Sequence, residues 1–228
     1  MKRILKIGLD SAAPFPMHSD YNSSVFEGFE VDLIAHVAAL LDLEVHYEVS
    51  LWQNILEKLY KGELDMICSA VTMTASRQMI LEFSKPYLSF QLCAVIKQGD
   101  VWTDMSNFKN KKIGIRIATE AEKYVMARFP GNITFHAETN TELYDKLRAG
   151  KIDVLIDDSP IAGGFLDKHK SLTIGFFLPE TESHYAIAMK KGDLKLKQQI
   201  NEALTLLKAD GTYDAIYSKW FKHIQLVV

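Results

Sequence analysis

Short apolar segments alternate with amphipathic helical patterns along nearly the whole chain. Between residues 31 and 41 the apolar side chains recur at spacings of three and four, which places them on one face of a helix. A second stripe, formed by Ile55, Leu56 and Leu59, ends at Gly62, a residue that favours the C-terminal end of a helix. The alternation predicts an α/β fold rather than an all-α or all-β one. The predicted strands are Leu5–Leu9, Glu44–Val49, Leu64–Ala70, Leu88–Lys97, Lys112–Ile117, Ile133–His136, Ile152–Ile156, Leu172–Phe176 and Tyr185–Lys190.

One segment is echoed later in the chain. Residues 58–67, KLYKGELDMI, are similar to residues 146–155, KLRAGKIDVL. Many junctions between a helix and a strand contain such a glycine, but both copies also close a β-α-β-α-β series. We therefore predict two similar lobes, one formed by residues 1–90 with 187–228 and the other by residues 91–186. The chain crosses twice between them, near Phe90 and Tyr185, which predicts a hinge and a ligand cleft between the lobes.

The composition excludes several classes of protein. Charged residues at 24% and hydrophobic residues at 48% are typical of a folded chain with a sizeable core. The formal net charge of −3 argues against a large nucleic-acid footprint, and no apolar run approaches the length of about 18 residues that spans a bilayer. The histidines and cysteines show no metal-ligand spacing, and no GxSxG, P-loop or GxGxxG motif occurs. We therefore expect no metal, no cofactor and no catalytic residues.

Hydroxyl groups and an arginine follow the predicted strand Leu64–Ala70. The residues 69–77, SAVTMTASR, combine free backbone N–H groups at a strand end with Thr72 and the guanidinium of Arg77. These groups can converge on one anion, and the planar fork of arginine matches a carboxylate with two parallel hydrogen bonds. The alternative is that Arg77 is a solvated surface residue and that the hydroxyl groups only cap a short helix.

Carboxylates end the corresponding strand of the second lobe. Of Asp157 and Asp158, one can cap the following helix, which Ser159 is also placed to cap, and the other can pair with an ammonium group. Thr119 opens a helix with a capping box and can direct its hydroxyl group to the same carboxylate as Arg77. An arginine on one lobe and an aspartate on the other suit a zwitterion such as an α-amino acid.

Several ordered motifs resemble one family across nearly the whole chain. They are similar to the polar amino-acid branch of the bacterial extracellular solute-binding proteins, family 3, which supply ABC importers. The resemblance implies a two-lobed type II periplasmic-binding-protein fold that closes on its ligand by bending at a hinge. The motifs are GFEVDL at 28–33, GELD at 62–65, TMTASR at 72–77, FSKPY at 83–87, DSP at 158–160, KADGTY at 208–213 and WF at 220–221.

The resemblance also implies how both ends of an amino acid are bound. Arg77 would hold the ligand carboxylate, with help from Thr72 and the backbone of Ala70. Thr119 would reach that carboxylate from the other lobe. Asp158 would bind the α-amine.

The remaining contacts that the resemblance implies concern the amine and the ligand side chain. Ser69 and Asp10 match positions that contact either group. Trp52 matches a position where an apolar or aromatic residue packs on the ligand side chain, although it could equally be a core residue of its helix. The family's first loop usually carries an aromatic residue where this chain has Ala13, and Phe15 could substitute for it.

Glu120 bears on the choice of ligand. It lies close to the expected position of the ligand carboxylate, so an inward side chain would repel that group or select a cationic one. As an early residue of a helix, it is expected to face solvent instead. Together with Asp10 and Asp158, Glu120 predicts an acidic cleft that favours arginine, lysine, histidine or glutamine.

The predicted function is binding of a polar or cationic L-amino acid and its delivery to the permease of an ABC transporter. The ligand-sensing domain of a larger receptor is one alternative. An enzyme resembling the cyclohexadienyl dehydratases is another, and it would need a general acid such as Glu120 in the cleft. The resemblance implies a monomer in the periplasm or an extracellular lipoprotein, with no nucleic-acid partner. The chain shows no secretory signal after Met1, so either the protein is not exported or its signal is absent from this chain, as the implied location requires.

Overall fold

The computed structural model describes residues 2–11, 17 and 25–221. They form two compact units. Unit 1 holds the described residues up to Ser89 and those from His184 onward, and unit 2 holds Phe90–Ser183. The chain therefore passes into unit 2 after Ser89 and returns before His184. The two strands at these crossings, β5 (Leu88–Phe90) and β11 (Ser183–Tyr185), pair with each other. The predicted hinge and cleft stay predictions.

Unit 1 is built on a sheet of five strands in the order β2-β1-β3-β12-β4. Strand β1 runs parallel to its neighbours β2 and β3, whereas β12 is antiparallel to β3 and β4. The strands are β1 (Ile4–Asp10), β2 (Glu44–Ser50), β3 (Met66–Ile67), β4 (Leu81–Phe83) and β12 (Ala188–Lys190). The helices are α1 (Phe29–Leu40), α2 (Trp52–Lys61), α3 (Ala75–Gln78), α7 (Leu194–Ala209) and α8 (Thr212–Phe221).

Unit 2 repeats this arrangement. Its sheet has the order β10-β6-β9-β7-β8, in which β7 is parallel to β8 and β9, and β6 is antiparallel to β9 and β10. The strands are β6 (Leu92–Lys97), β7 (Lys112–Arg116), β8 (Ile133–Ala137), β9 (Val154–Asp158) and β10 (Leu172–Phe177). The helices are α4 (Glu120–Arg128), α5 (Asn140–Arg148) and α6 (Ser159–Lys168), and a short 3₁₀ helix spans Met105–Phe108.

The echoed segments perform the same task in the two units. In unit 1, Asp65 donates its N–H to the Lys6 carbonyl at 2.9 Å and accepts the Lys6 N–H on its carboxylate at 2.8 Å. In unit 2, Asp153 makes the same two hydrogen bonds with Lys112, at 2.9 and 2.8 Å. Each aspartate thus joins the chain just before one strand, β3 or β9, to the parallel strand beside it, β1 or β7.

The α/β class is confirmed, and most predicted elements are present with small changes in their ends. The predicted strand Leu88–Lys97 is two strands, β5 and β6, and Tyr185–Lys190 contains the end of β11 and all of β12. The first of these runs crosses from unit 1 into unit 2 after Ser89, so its two parts pair with different neighbours. The predicted strand Leu64–Ala70 is reduced to β3, because Ala70 takes the left-handed conformation with φ 50° and ends the extended backbone.

Candidate functional site

Two predicted contact residues of unit 1 meet at the ends of neighbouring parallel strands. Asp10 is the last residue of β1, and Ser69 follows β3. The Asp10 backbone N–H donates to Ser69 Oγ at 2.8 Å, and both residues are buried. The carboxyl ends of parallel strands are where α/β proteins usually bind ligands. The fold therefore brings Asp10 and Ser69 together at the edge of the sheet where a ligand site is expected.

Arg77 is held in place by its own segment and by a neighbouring helix. Thr74 caps α3 by accepting the Arg77 backbone N–H at 3.2 Å. The guanidinium Nη1 donates to the Thr72 carbonyl at 2.9 Å, and the guanidinium carbon lies 5.1 Å from the centre of the Trp52 ring. This orientation fixes the planar fork more firmly than solvation alone would, since a hydrogen bond and a cation–π contact act on it together.

Trp52 contacts both the core of unit 1 and Arg77, and its packing on a ligand side chain stays a prediction. It is the first residue of α2 and packs, partly buried, against the core cluster of unit 1 that contains Ile55 and Leu59. Its ring also carries the guanidinium of Arg77. A core contact and a role near the predicted carboxylate site are therefore compatible.

The backbone of Ala70 differs from the prediction. Its N–H was expected to bind a ligand carboxylate, but it donates to Glu30 Oε1 at 2.6 Å. This N–H is therefore engaged inside unit 1, and its contact with a ligand carboxylate stays a prediction. Its left-handed backbone is uncommon for a residue with a side chain.

Glu30 is a functional candidate that the sequence patterns do not indicate. It lies in the first turn of α1, yet its side chain is buried, with 1% of the residue exposed. Oε1 accepts hydrogen bonds from the Tyr87 hydroxyl and the Ala70 N–H, whereas Oε2 has no hydrogen-bond partner among the described residues. Burial raises the pKa of Glu30 to about 7, against the opposing effect of the two hydrogen bonds.

In unit 2, the two adjacent acids have different roles. Asp157 is buried and accepts hydrogen bonds from Asn140 at 2.9 Å to each oxygen, from the Tyr144 hydroxyl at 3.0 Å and from the Asp158 N–H at 2.9 Å. Burial, and next the charge of Asp158, raise the pKa of Asp157 to about 7. Asp157 is therefore an internal residue, and Asp158 is the one that remains a candidate for an ammonium group.

Asp158 rather than Ser159 occupies the capping position of α6, which corrects the prediction for Ser159. The side chain of Asp158 makes no capping hydrogen bond, and Pro160 lies in the first turn. Ser159 is fully buried, and its Oγ accepts the Gln91 N–H at 3.3 Å. Ser159 does not cap α6 because its hydroxyl group binds the backbone N–H of Gln91, in another segment of the same unit.

The hydroxyl group of Thr119 is also engaged locally. It donates to the Arg116 carbonyl at 2.7 Å and accepts the Glu122 N–H at 3.2 Å as the cap of α4. The predicted donation from this hydroxyl to a ligand carboxylate therefore needs revision. What the head of α4 offers an anion is its N-terminal position, which carries partial positive charge.

Glu120 follows Thr119 and forms an ion pair within its own helix. Its Oε1 lies 2.7 Å from Lys123 Nζ. This pairing offsets the negative charge that the sequence places near the expected carboxylate.

The predicted residues thus fall into one group in each unit. Unit 1 places its members at the carboxyl ends of β1 and β3 and in the segments that follow or lie beside them, and unit 2 places its members after β7 and at the end of β9. Phe15 lies outside the described residues. The two groups are Asp10, Trp52, Ser69, Ala70, Thr72 and Arg77 in unit 1, and Thr119 and Asp158 in unit 2.

Metal-binding clusters and membrane-spanning helices are both absent from the described part of the chain. In residues 2–11, 17 and 25–221, no three His, Cys, Asp or Glu side chains are grouped so that they could hold a metal ion. Over the same residues, none of the helices has the length and apolar character required to cross a membrane.

Comparison with known proteins identifies the family. The family model of the bacterial extracellular solute-binding proteins, family 3, matches residues 5–223. The ABC transporter glutamine-binding protein GlnH of Bacillus subtilis is 27% identical over 205 residues, which cover 88% of this chain and 75% of GlnH.

Solved structures share the fold. An ancestral arginine-binding protein bound to arginine superposes with a TM-score of 0.86 at 29% identity, covering 97% of this chain and 99% of its own. The ancestral amino-acid-binding protein AncCDT-1, a precursor of cyclohexadienyl dehydratase, gives a TM-score of 0.86 at 27% identity, with 96% and 95% covered. The predicted fold class is thereby confirmed.

Proposed function

Because the chain belongs to the bacterial extracellular solute-binding proteins, family 3, we propose that it binds a free polar or cationic L-amino acid and delivers it to the permease of an ABC importer. The observation that carries this proposal is the guanidinium of Arg77, which Thr72 and Trp52 orient in the segment that follows β3. The names of relatives that bind glutamine and arginine support the same class of ligand.

In the proposed complex, charge complementarity binds both ends of the amino acid. Arg77 holds the α-carboxylate through charge-assisted hydrogen bonds, and the N-terminus of α4 adds a favourable field. Asp158, at the end of β9, binds the α-ammonium group. The two units close on the ligand by bending at the two chain crossings.

The acidic residues indicate which side chains are preferred. Asp10 belongs to the group in unit 1 and Asp158 to the group in unit 2, and both are acidic residues. We therefore expect arginine, lysine, histidine or glutamine as the ligand. The proposed location is the periplasm or the outer face of the cytoplasmic membrane, and the proposed working form is a monomer.

A thermal-shift screen of the standard L-amino acids tests this function. One of the four expected amino acids should give the largest rise in melting temperature, because a ligand that binds only the folded state stabilises it by about 2.7 kcal/mol at a hundredfold excess over Kd. D-enantiomers of the same amino acids serve as controls and should give smaller shifts. A flat response to every L-amino acid would contradict the proposal.

Two other functions use the same fold. An enzyme is favoured only by the likeness to AncCDT-1, a precursor of cyclohexadienyl dehydratase. Incubation with prephenate or arogenate distinguishes it, since a binding protein leaves both unchanged. A ligand-sensing domain of a larger receptor would bind the same ligands, and the complete reading frame and the neighbouring genes would distinguish it from a transport component.

A further inference from the structure

Glu30 links the first helix of unit 1 to the segment that follows β3. The two segments are far apart in sequence, and the hydrogen bond from the Ala70 N–H to Glu30 Oε1, at 2.6 Å, joins them directly. The Glu30 side chain is itself fixed, because Tyr87 donates its hydroxyl to the same oxygen and the residue is 1% exposed. The acceptor for Ala70 is therefore held in one place by buried structure.

Ala70 needs such an acceptor. Its φ of 50° lies in the left-handed region, which costs an L-residue free energy because Cβ approaches the carbonyl oxygen. A residue in such a conformation persists only when the surrounding structure holds it. A hydrogen bond from its N–H to a buried carboxyl oxygen is a contact that can do so.

The conformation of Ala70 sets the direction of the chain at the candidate site. Ser69 precedes it and accepts the Asp10 N–H, and Thr72 follows it and accepts a hydrogen bond from Arg77. A change of φ and ψ at Ala70 would turn these neighbours relative to each other. The orientation of Arg77 therefore depends on a contact that Arg77 does not itself make.

Burial of the Glu30 carboxyl brings no ion pair to offset its cost. Among the described residues, the Glu30 carboxyl has no cationic partner. The titratable groups that interact with it are Tyr87, Cys68 and Tyr47. Burial raises the pKa of each, so all three are neutral near pH 7. A buried carboxyl without a cation is costly to folding. The presence of Glu30 at this position is therefore better accounted for by a role at the site than by a contribution to stability.

We propose that Glu30 is a positioning residue of the amino-acid site, which holds Ala70 in the left-handed conformation and so orients Ser69, Thr72 and Arg77 for the ligand. This inference rests on the proposed function. Glu30 acts through Ala70 and does not itself touch the ligand.

The test compares the amino-acid affinity of four variants by calorimetry, with the best ligand of the screen. Glu30→Leu keeps the volume but removes the acceptor, and it should weaken binding about tenfold, the effect of losing one hydrogen bond to a buried carboxyl. Glu30→Gln keeps an acceptor oxygen and should lose less. Glycine adopts positive φ without strain, so a glycine at position 70 should not need the Glu30 acceptor. The double variant with Glu30→Leu and Ala70→Gly should therefore bind at most about threefold more weakly than Ala70→Gly alone.

A matched control separates positioning from general damage to α1. Val37 is fully buried in α1, and Val37→Ala should lower the melting temperature and leave the affinity unchanged. If Glu30→Leu binds as tightly as the wild type, or if the double variant loses as much relative to Ala70→Gly as Glu30→Leu loses relative to the wild type, the inference is wrong.

A measurement without ligand keeps this inference separate from the proposed function. The Ala70 amide should be protected from hydrogen exchange in the wild type and should exchange faster in Glu30→Leu, while the Met66 amide in β3 stays protected in both. If no amino acid binds the wild type, the proposed function fails and the exchange of Ala70 still judges the role of Glu30. An unprotected Ala70 amide in the wild type would overturn that role. This holds whether or not an amino acid binds, and whether or not Glu30→Leu folds.

Discussion

Replacing Arg77 with alanine is expected to weaken binding of the preferred amino acid by about a hundredfold or more. In the proposed complex the guanidinium and the α-carboxylate form a pair that closure removes from water. Truncating one partner of such a pair costs about 2–5 kcal/mol, and every 1.4 kcal/mol is about a tenfold change in Kd. Titration calorimetry on the wild type and on Arg77→Ala measures this ratio directly.

Two further variants show that the loss comes from the fork of Arg77. Arg148 is exposed on α5 and pairs with Asp145 at 3.2 Å within that helix, so Arg148→Ala should leave the affinity unchanged. Arg77→Lys keeps a charge but loses the planar fork and should give an intermediate affinity. Since Arg77 also contacts the Trp52 ring, the melting temperature of each variant must be measured beside its affinity. An affinity of Arg77→Ala within about threefold of the wild type would rule out Arg77 as the residue that binds the carboxylate.

The ligand-free protein is expected to lose stability as the pH rises from about 5 to about 8. Glu30 and Asp157 both have a pKa raised to about 7 in the folded state, chiefly by burial. Between the unfolded and the folded pKa, the unfolded chain releases a proton that the folded chain keeps, which favours unfolding. The stabilisation is therefore complete below the unfolded pKa and is lost as the pH rises through about 7. Each group should contribute about 2 kcal/mol to the loss over this range.

Urea titrations at several pH values measure this effect. Glu30→Gln and Asp157→Asn each remove one ionisable group and should each reduce the fall in unfolding free energy between about pH 5 and pH 8. Comparing each variant with the wild type at the same pH cancels the contribution of the other acids, such as Glu82, whose pKa is lowered by its hydrogen bond to Lys197. Identical pH profiles for the wild type and both variants would show that the two buried carboxyl groups do not titrate in this range.

The main elements of the fold were predictable because, over most of the chain, the spacing of the apolar residues agrees with the residues that favour helix ends. Gly62 ends α2 with φ 76°, as a glycine at that place predicts, and α4 begins after its Thr119 cap. Strand β4 was not predicted, since its central residue is Glu82, a charged residue that is uncommon in strands. In the structure Glu82 pairs with Lys191 and Lys197. A strand of three residues is too short for its alternation of apolar and polar side chains to be recognised in the sequence.

The details of the candidate site were less predictable because they depend on partners that are distant in sequence. The sequence could indicate Ala70 and Thr119, but not that the first donates to Glu30 and the second to the Arg116 carbonyl. Glu30 resembles an ordinary acid in the first turn of a helix, where negative charge is favourable and usually exposed. Only the packing of α1 against its unit shows that this side chain faces inward. Whether the nine sequence-derived site residues contact a ligand stays a prediction.

The central claim is that one amino acid is bound by its carboxylate and its α-amine together. Titration calorimetry on the wild type tests it most directly, with the best amino acid of the screen and with its two analogues that lack one of these groups. For L-arginine these analogues are agmatine, without the carboxylate, and 5-guanidinopentanoate, without the amine. We expect the complete amino acid to bind and each analogue to bind about a hundredfold more weakly, or not at all. Equal affinity for either analogue would contradict the claim.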